Sequence, residues 1–358
     1  MRGRIPTALI GVLLLAGCES RAESGGVVFM YHHVDAGTPA ATSVTPEVFA
    51  EQMSFLEREG FTVLPLIDLL DALAGGREVS ARSVAITFDD GYRSVLTEAL
   101  PLLESRGWPF TVFVNTEAID EGYGGYLSWS DLRTLGERGG AIGNHSVTHA
   151  HLVRSLPGET TGEWRRRVTA EIESAADRLE AEVGDYLIPA FAYPYGEYSA
   201  EIKAIVDDAG LYGLGQHSGA VGPDSDFLAL PRYPVATGLP IGDFALRARS
   251  LPLPVRVSGT EQHVVDPADS RPTLTLALDP DDDVRVAELA CYVGGQGRAV
   301  LEWRDDGMRE LSVRPERALG PGRTKVNCTA PSRESAGVYY WWGYLWMRRL
   351  DDGRWYEE

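Results

Sequence analysis

Positive charge is scarce in this chain. Its 33 Lys and Arg stand against 52 Asp and Glu, a formal net charge of -19. Such a surface repels phosphate backbones and anionic headgroups, which excludes nucleic acid or an acidic membrane face as the main partner. Cysteine is scarcer still, at three residues, leaving room for one disulfide. No internal repeat or low-complexity segment is present. The N-terminal apolar run, from Ala8 to Ala16, is too short to cross a bilayer. What remains is a globular composition, 44% hydrophobic and 24% charged over 358 residues, enough chain for two domains.

The first residues read as an export signal rather than fold. Arg2 and Arg4 precede the apolar run, which ends in Leu-Ala-Gly-Cys. That ending resembles a bacterial lipobox. It implies that residues 1–18 are a lipoprotein signal and that Cys18 becomes a lipidated N-terminus. An ordinary signal peptide cleaved nearby is the alternative. Glu19 lacks the look of an inner-membrane retention signal, so the expected location is exported and lipid-anchored, at the outer membrane facing the periplasm or at the cell surface. The anchor would be the only membrane contact. Cys291 and Cys328 are then left in strand-like stretches of an exported protein, where a disulfide between them persists. Two buried thiols are the alternative.

From residue 25 to about 252, short apolar strands alternate with capped, amphipathic helices. "VVFMY", "SVAITF", "FTVFV", "AIGN" and "FAYPYG" read as strands or strand ends. "TPEVFAEQMSFLEREG" has Thr45 as N-cap and Pro46 in the first turn, and Gly60 stops it. Pro101 should kink or break the helix over "YRSVLTEALPLLESRG". Alternation of this kind predicts an α/β fold with parallel strands and crossover helices, and six or seven units suggest a closed or partly closed barrel. Near residues 252–262 the pattern changes. Residues 260–358 are short alternating segments divided by Gly, Pro, Asp and Asn, the pattern of a small all-β sandwich.

Function in a parallel α/β sheet collects at the carboxyl ends of strands. His32 and His33 follow one predicted strand, Asp89 and Asp90 a second, His145 and His149 another, and Tyr193 to Gly196 a fourth. Four of the seven histidines are in that group. His145 and His149 are four apart, so on a helical turn both rings would share one face and could bind a first-row metal. Two unrelated surface histidines would look the same. The Asp89-Asp90 pair makes sense if one carboxylate binds the cation and the other takes a proton from a water the cation polarises. The same Asp-Asp-Gly string recurs at 305–307 and 351–353 without histidine, and there an ordinary solvated turn is the better reading.

"TFDDGY" (87–92) and "HSVTH" (145–149) resemble the first two motifs of NodB-type polysaccharide deacetylases, carbohydrate esterase family 4. The resemblance covers roughly residues 25–245. It implies a distorted (β/α) barrel that uses a divalent metal, most often zinc, to remove acetyl groups from sugars. On that resemblance Asp89 is the general base and Asp90, His145 and His149 are the metal ligands. The backbone N–H of Tyr195 in "YPYG" then helps hold the oxyanion. The family's Arg before Pro-Tyr-Gly is missing, since Ala192 and Tyr193 stand there, and Arg232 in "LPRYPV" is the candidate to orient the base. No terminal Leu-x-His supplies an acid. "MYHHV" (30–34) instead resembles the N-terminal motif of poly-β-1,6-N-acetylglucosamine deacetylases, which makes His32 the expected acid, with His33 and His217 as alternatives.

The resemblance therefore implies an N-acetylglucosamine-containing polysaccharide as substrate. Other readings are a deacetylase of peptidoglycan or O-acetylated xylan, or a carbohydrate-binding lipoprotein on a degenerate barrel. In "GVYYWWGYLW", alternation puts Tyr339 and Trp341 on one face and Tyr340, Trp342 and Tyr344 on the other. One face is core. The other would stack on sugars or pack between domains.

Overall fold

The computed structural model describes residues 24–280 and 282–357. The expected export signal and Cys18 lie outside them. Eight parallel strands form the first sheet: β1 (Gly26–Tyr31), β2 (Thr62–Val63), β3 (Ser83–Phe88), β4 (Phe110–Val114), β5 (Gly140–Asn144), β6 (Leu187–Ala192), β7 (Tyr212–Leu214) and β8 (Tyr233–Pro234). Their order is β8-β1-β3-β4-β5-β6-β7, with β2 also paired to β3. The central strands are runs such as "GVVFMY" and "SVAITF" that are buried at every position. Helices cover one face and the barrel interior the other, so no alternation survives in the sequence.

The barrel is distorted at two places. β2 pairs with the first two residues of β3, while β4 pairs with its last two, Thr87 and Phe88. Between β7 and β8 the ring closes without a regular strand. There Gly213 and Gly215 donate to the carbonyls of Phe227 and Leu230, and Arg232 N–H donates to His217 O at 2.9 Å. Arg232 therefore sits at the closure of the barrel.

The helices begin where the sequence marks them. α1 (Pro46–Arg58) starts at Thr45, whose Oγ1 accepts from Val48 N–H. Ser128 with Asp131, and Thr160 with Glu163, form capping boxes on α2 (Trp129–Glu137) and α3 (Thr161–Val183). Near Pro101 a π-helical turn, Val95–Ala99, runs into the short α-helix Leu100–Glu104. Proline has no N–H to bond four residues back, and a wider turn accommodates that gap.

Beyond the barrel two sheets pack as a sandwich. One contains β9 (Val255–Val257), β10 (Leu274–Leu278), β12 (Val300–Trp303) and β13 (Glu310–Arg314). The other is built on β11 (Ala290–Val293), β14 (Gly322–Pro331) and β15 (Tyr339–Arg348), and the short strands Leu251–Pro252 and Val264–Val265 run parallel to β15. Leu276, Leu311 and Val313 meet Val326, Cys328, Tyr340 and Trp346 in the core between the sheets. Cys291 and Cys328 face each other across β11 and β14 and are disulfide-bonded.

The aromatic block on β15 divides as alternation requires, with Tyr340, Tyr344 and Trp346 turned to the sandwich core. Its other face is not open to sugars, because it docks on the barrel. Trp341 meets Tyr233 edge-on at 5.3 Å, and Leu345 and Met347 pack among Tyr193, Tyr198 and Ile202. Gly343 comes so close that a Cβ there would lie 2.1 Å from Ser218 O, which forbids any larger residue.

Candidate active site

The strand ends on one side of the barrel bring the polar residues together. β3 delivers Asp89, whose N–H donates to Tyr31 O on β1 at 2.9 Å. Asp90 and Gly91 then both take left-handed backbone, φ 73 and 78. Asp tolerates that conformation better than most residues. The turn sends the two side chains to different neighbours, Asp89 into the barrel wall and Asp90 toward the histidines.

Asp89 is fully buried and meets an equally buried Arg232 in a two-pronged ion pair, Nη1 to Oδ1 at 2.6 Å and Nη2 to Oδ2 at 2.7 Å. Arg232 is itself fixed by Nε donating to Gly215 O at 2.9 Å, and its guanidinium lies 5.4 Å from the Phe113 ring centre. Burial pushes the Asp89 carboxyl up, but Arg232 and His145 outweigh it and hold the group below the ordinary carboxylate value. Asp89 is thus an anion with a fixed orientation.

Asp90 Oδ1 lies 3.3 Å from His145 Nε2 and 3.4 Å from His149 Nε2. One ligand atom from each of these residues falls within 4.8 Å of the others, the one such grouping of three among the described residues. Burial pushes Asp90 up, yet the neighbouring His145 holds it well below the usual range. Burial lowers His145 less than Asp90 and Asp89 raise it, so its net shift is upward. Burial and the neighbouring His145 take His149 down to about 4.

A helical turn carrying both histidines was the expectation, and the structure corrects it. Residues 145–149 form an irregular loop after β5, with Ser146 and His149 both left-handed, at φ 69 and 56. The loop is held by side chains instead. Asn144 Oδ1 accepts from Ser146 N–H at 2.8 Å. Glu171 on α3 accepts from Val147 N–H, Thr148 N–H and the Thr148 hydroxyl. Three donors on one carboxylate replace the helical ladder, and nothing in the sequence around Glu171 signals this role.

The site fits a divalent cation. His145 Nδ1 donates to Ala192 O at 2.7 Å, since a carbonyl can only accept, and this leaves Nε2 with its lone pair facing Asp90. That Nε2 is buried with no hydrogen-bond partner. A buried imidazole lone pair, a second imidazole and a carboxylate oxygen are a ligand set for zinc or a similar ion, and the Ala192 carbonyl orients the first ligand from behind.

Tyr195 lies beside this group, its ring 4.5 Å from His149 and stacked on His151 at 3.8 Å. Its backbone is left-handed, φ 59 and ψ 5. Gly196 follows at φ 69, where a Cβ would come 2.5 Å from Gln216 Cβ. His32 falls between β1 and the two-residue strand His33–Val34, within electrostatic reach of Asp89, Asp90 and His149. The two alternatives to it are placed differently. His33 stacks on Tyr92 at 3.5 Å. His217 is buried by Tyr198 and His263 in the seam between the domains, where burial lowers it to about 3. Tyr193, in the place of the expected Arg, donates its hydroxyl to Leu228 O at 2.7 Å and takes no part.

A parallel barrel presenting Asp-Asp-His-His at its strand ends, with a buried Arg behind the first Asp, has the layout of a hydrolytic centre. Residues 76–214, within the barrel, match the polysaccharide deacetylase family model. Among individual proteins, the chain is 22% identical over 248 residues to the poly-beta-1,6-N-acetyl-D-glucosamine N-deacetylase of Escherichia coli K12, an alignment covering 53% of this chain and 36% of that protein. It is 27% identical over 198 residues to the Staphylococcus aureus MSSA476 protein of the same name, covering 53% of this chain and 67% of that one. The chain thus spans about a third of one curated relative and two thirds of the other. IcaB from Ammonifex degensii shares the fold, with a TM-score of 0.55 at 23% identity over 63% of this chain and 97% of that structure.

Proposed function

We propose that the protein hydrolyses N-acetyl groups on an N-acetylglucosamine polysaccharide of the cell envelope, with a divalent metal, zinc by preference, held by Asp90, His145 and His149. The observation that carries the reading is the convergence of this ligand set with a buried, Arg-oriented carboxylate on the residue just before Asp90, at the end of β3. The relatives named as poly-beta-1,6-N-acetyl-D-glucosamine N-deacetylases support the substrate class. When bound, the ion polarises the acetamide carbonyl and a water beside it.

The chain's own residues supply the rest. Asp89 accepts the proton of the attacking water, and Arg232 keeps that carboxylate ionised and aimed. The Tyr195 N–H donates to the oxygen that gains charge. His32 protonates the departing amine. Acetate and a glucosamine unit are the products. Cys18 would tether the enzyme by lipid and leave the barrel facing an extracytoplasmic polymer.

Acetate release from β-1,6- and β-1,4-linked N-acetylglucosamine oligomers, peptidoglycan and acetyl-xylan tests this reading, with metal content measured in parallel. The β-1,6 oligomers are expected to be the best substrates. Faster release from peptidoglycan or xylan would move the substrate assignment. Bound metal with no acetate from any of the four would favour a carbohydrate-binding protein on an inactive barrel.

A further inference from the structure

Glu197, two residues after Tyr195, is a fully buried carboxylate outside the metal group, and four side chains from three parts of the chain converge on it. His151 Nδ1 lies 2.9 Å from its Oε2. Arg154 Nη2 donates to Oε1 at 3.2 Å, and the Tyr356 hydroxyl donates to the same oxygen at 2.8 Å. Arg323 Nη1 on β14 lies 3.6 Å away. Burial pushes the Glu197 carboxyl up, and bonds from His151 and Tyr356 more than reverse it.

Two of these groups, Arg323 and Tyr356, come from beyond the barrel. Arg323 also reaches the loop directly. Its Nη1 donates to Tyr195 O at 3.3 Å, and its guanidinium lies 5.6 Å from the Tyr195 ring centre. Arg154 in turn donates to Tyr356 O at 2.9 Å and lies 4.6 Å from that ring, fastening the tail. The left-handed backbone at Tyr195 is a conformation that a non-glycine residue keeps only when its surroundings impose it.

We propose that the carboxyl-terminal β domain is a positioning element of the active site: Arg323 and Tyr356 hold Glu197 and the Tyr195 carbonyl, and so fix the loop that presents the Tyr195 N–H. The inference rests on the oxyanion role given to that N–H above. It makes the sandwich a wall of the catalytic site rather than a separate sugar-binding module. Glu197, Arg323 and Tyr356 act through Tyr195 and are positioning residues.

The test uses the full chain with Tyr356→Phe, Arg323→Gln and their combination, and Glu197→Gln as a harsher probe of the hub. Amide exchange is read on peptides covering residues 193–198, where Gly196 N–H is bonded to Tyr193 O at 2.8 Å in the intact protein. The double variant should exchange there about tenfold faster, with the β14 and β15 amides unchanged. Its kcat should fall roughly 10- to 100-fold with KM and metal content preserved, and Arg323→Lys should recover part of it. Wild-type exchange at 193–198 in the double variant would overturn the proposal, as would a loss confined to KM. If the wild type releases no acetate from any substrate, the deacetylase reading falls, and the exchange measurement alone still decides whether the clamp exists.

Discussion

Replacing Arg232 by Met tests the centre most directly. The wild-type pair has two short bonds and no exposed atom on either side chain. Removing the cation leaves a carboxylate in a dry site, and breaking one side of a buried pair costs about 3–5 kcal/mol. For a domain of this size that corresponds to a Tm lower by roughly 6–20 °C. Linkage adds a signature. In the wild type the Asp89 carboxyl lies below its ordinary value, so its contribution to stability is present above the unfolded pKa of about 3.9 and is lost as pH falls through the folded value. Without Arg232, burial dominates and the folded carboxyl moves above the unfolded one, so the penalty grows as pH rises past about 4. The gap in Tm between wild type and Arg232→Met should be widest near neutrality and close toward acid. Acetate release should fall about 10²–10⁴-fold, because a protonated Asp89 cannot act as base. Adding Asp89→Asn should recover much of the stability and none of the activity, since the lone buried charge is gone. A Tm gap that does not change with pH, or wild-type acetate release from Arg232→Met, would refute the reasoning.

The remaining predictions concern the metal, the acid and the sandwich. His145→Ala and Asp90→Asn should bind no metal at stoichiometric zinc yet keep their far-UV circular dichroism. His32→Ala should lose about 10²–10⁴-fold in kcat while retaining metal, whereas His33→Ala should lose far less. Reducing the Cys291–Cys328 bridge, which closes a separation of 37 residues, should cost the sandwich about 4 kcal/mol in the chain-entropy estimate, measured by denaturant titration of the Cys291→Ser, Cys328→Ser protein.

The strands were legible because barrel strands are near-continuous apolar runs, and the helices because Thr45, Ser128 and Thr160 announce their starts. Asp89, Asp90, His145 and His149 stood out by residue type at strand ends. How they are held did not. The 145–149 loop was misread as helical because spacing of four is a helical signal, while the carboxylate that shapes the loop is Glu171 on a distant helix. Arg232 could be suggested from "LPRYPV", but its approach to Asp89 depends on a closing segment with no strand periodicity. Glu197 and His151 carried no signal, since their meaning comes from Arg323 and Tyr356, which lie far along the chain. Alternation divided the β15 aromatics into two faces correctly. What the outer face touches is a question of docking, and local sequence does not encode it.

The closure of the barrel at Arg232 bears on how such a protein could lose its activity. The residue that aims the base also bonds the closing segment after β7, at Gly215 O and His217 O, so chemistry and folding are tied at one position. A lineage drifting toward a binding role could not shed Asp89 alone without stranding a buried guanidinium, nor Arg232 alone without stranding a carboxylate. Inactive descendants should therefore have changed both positions together, or have kept both and lost metal ligands such as Asp90 and His149, which are partly exposed. Sequencing natural variants for that paired signature separates working enzymes from retired ones without an assay.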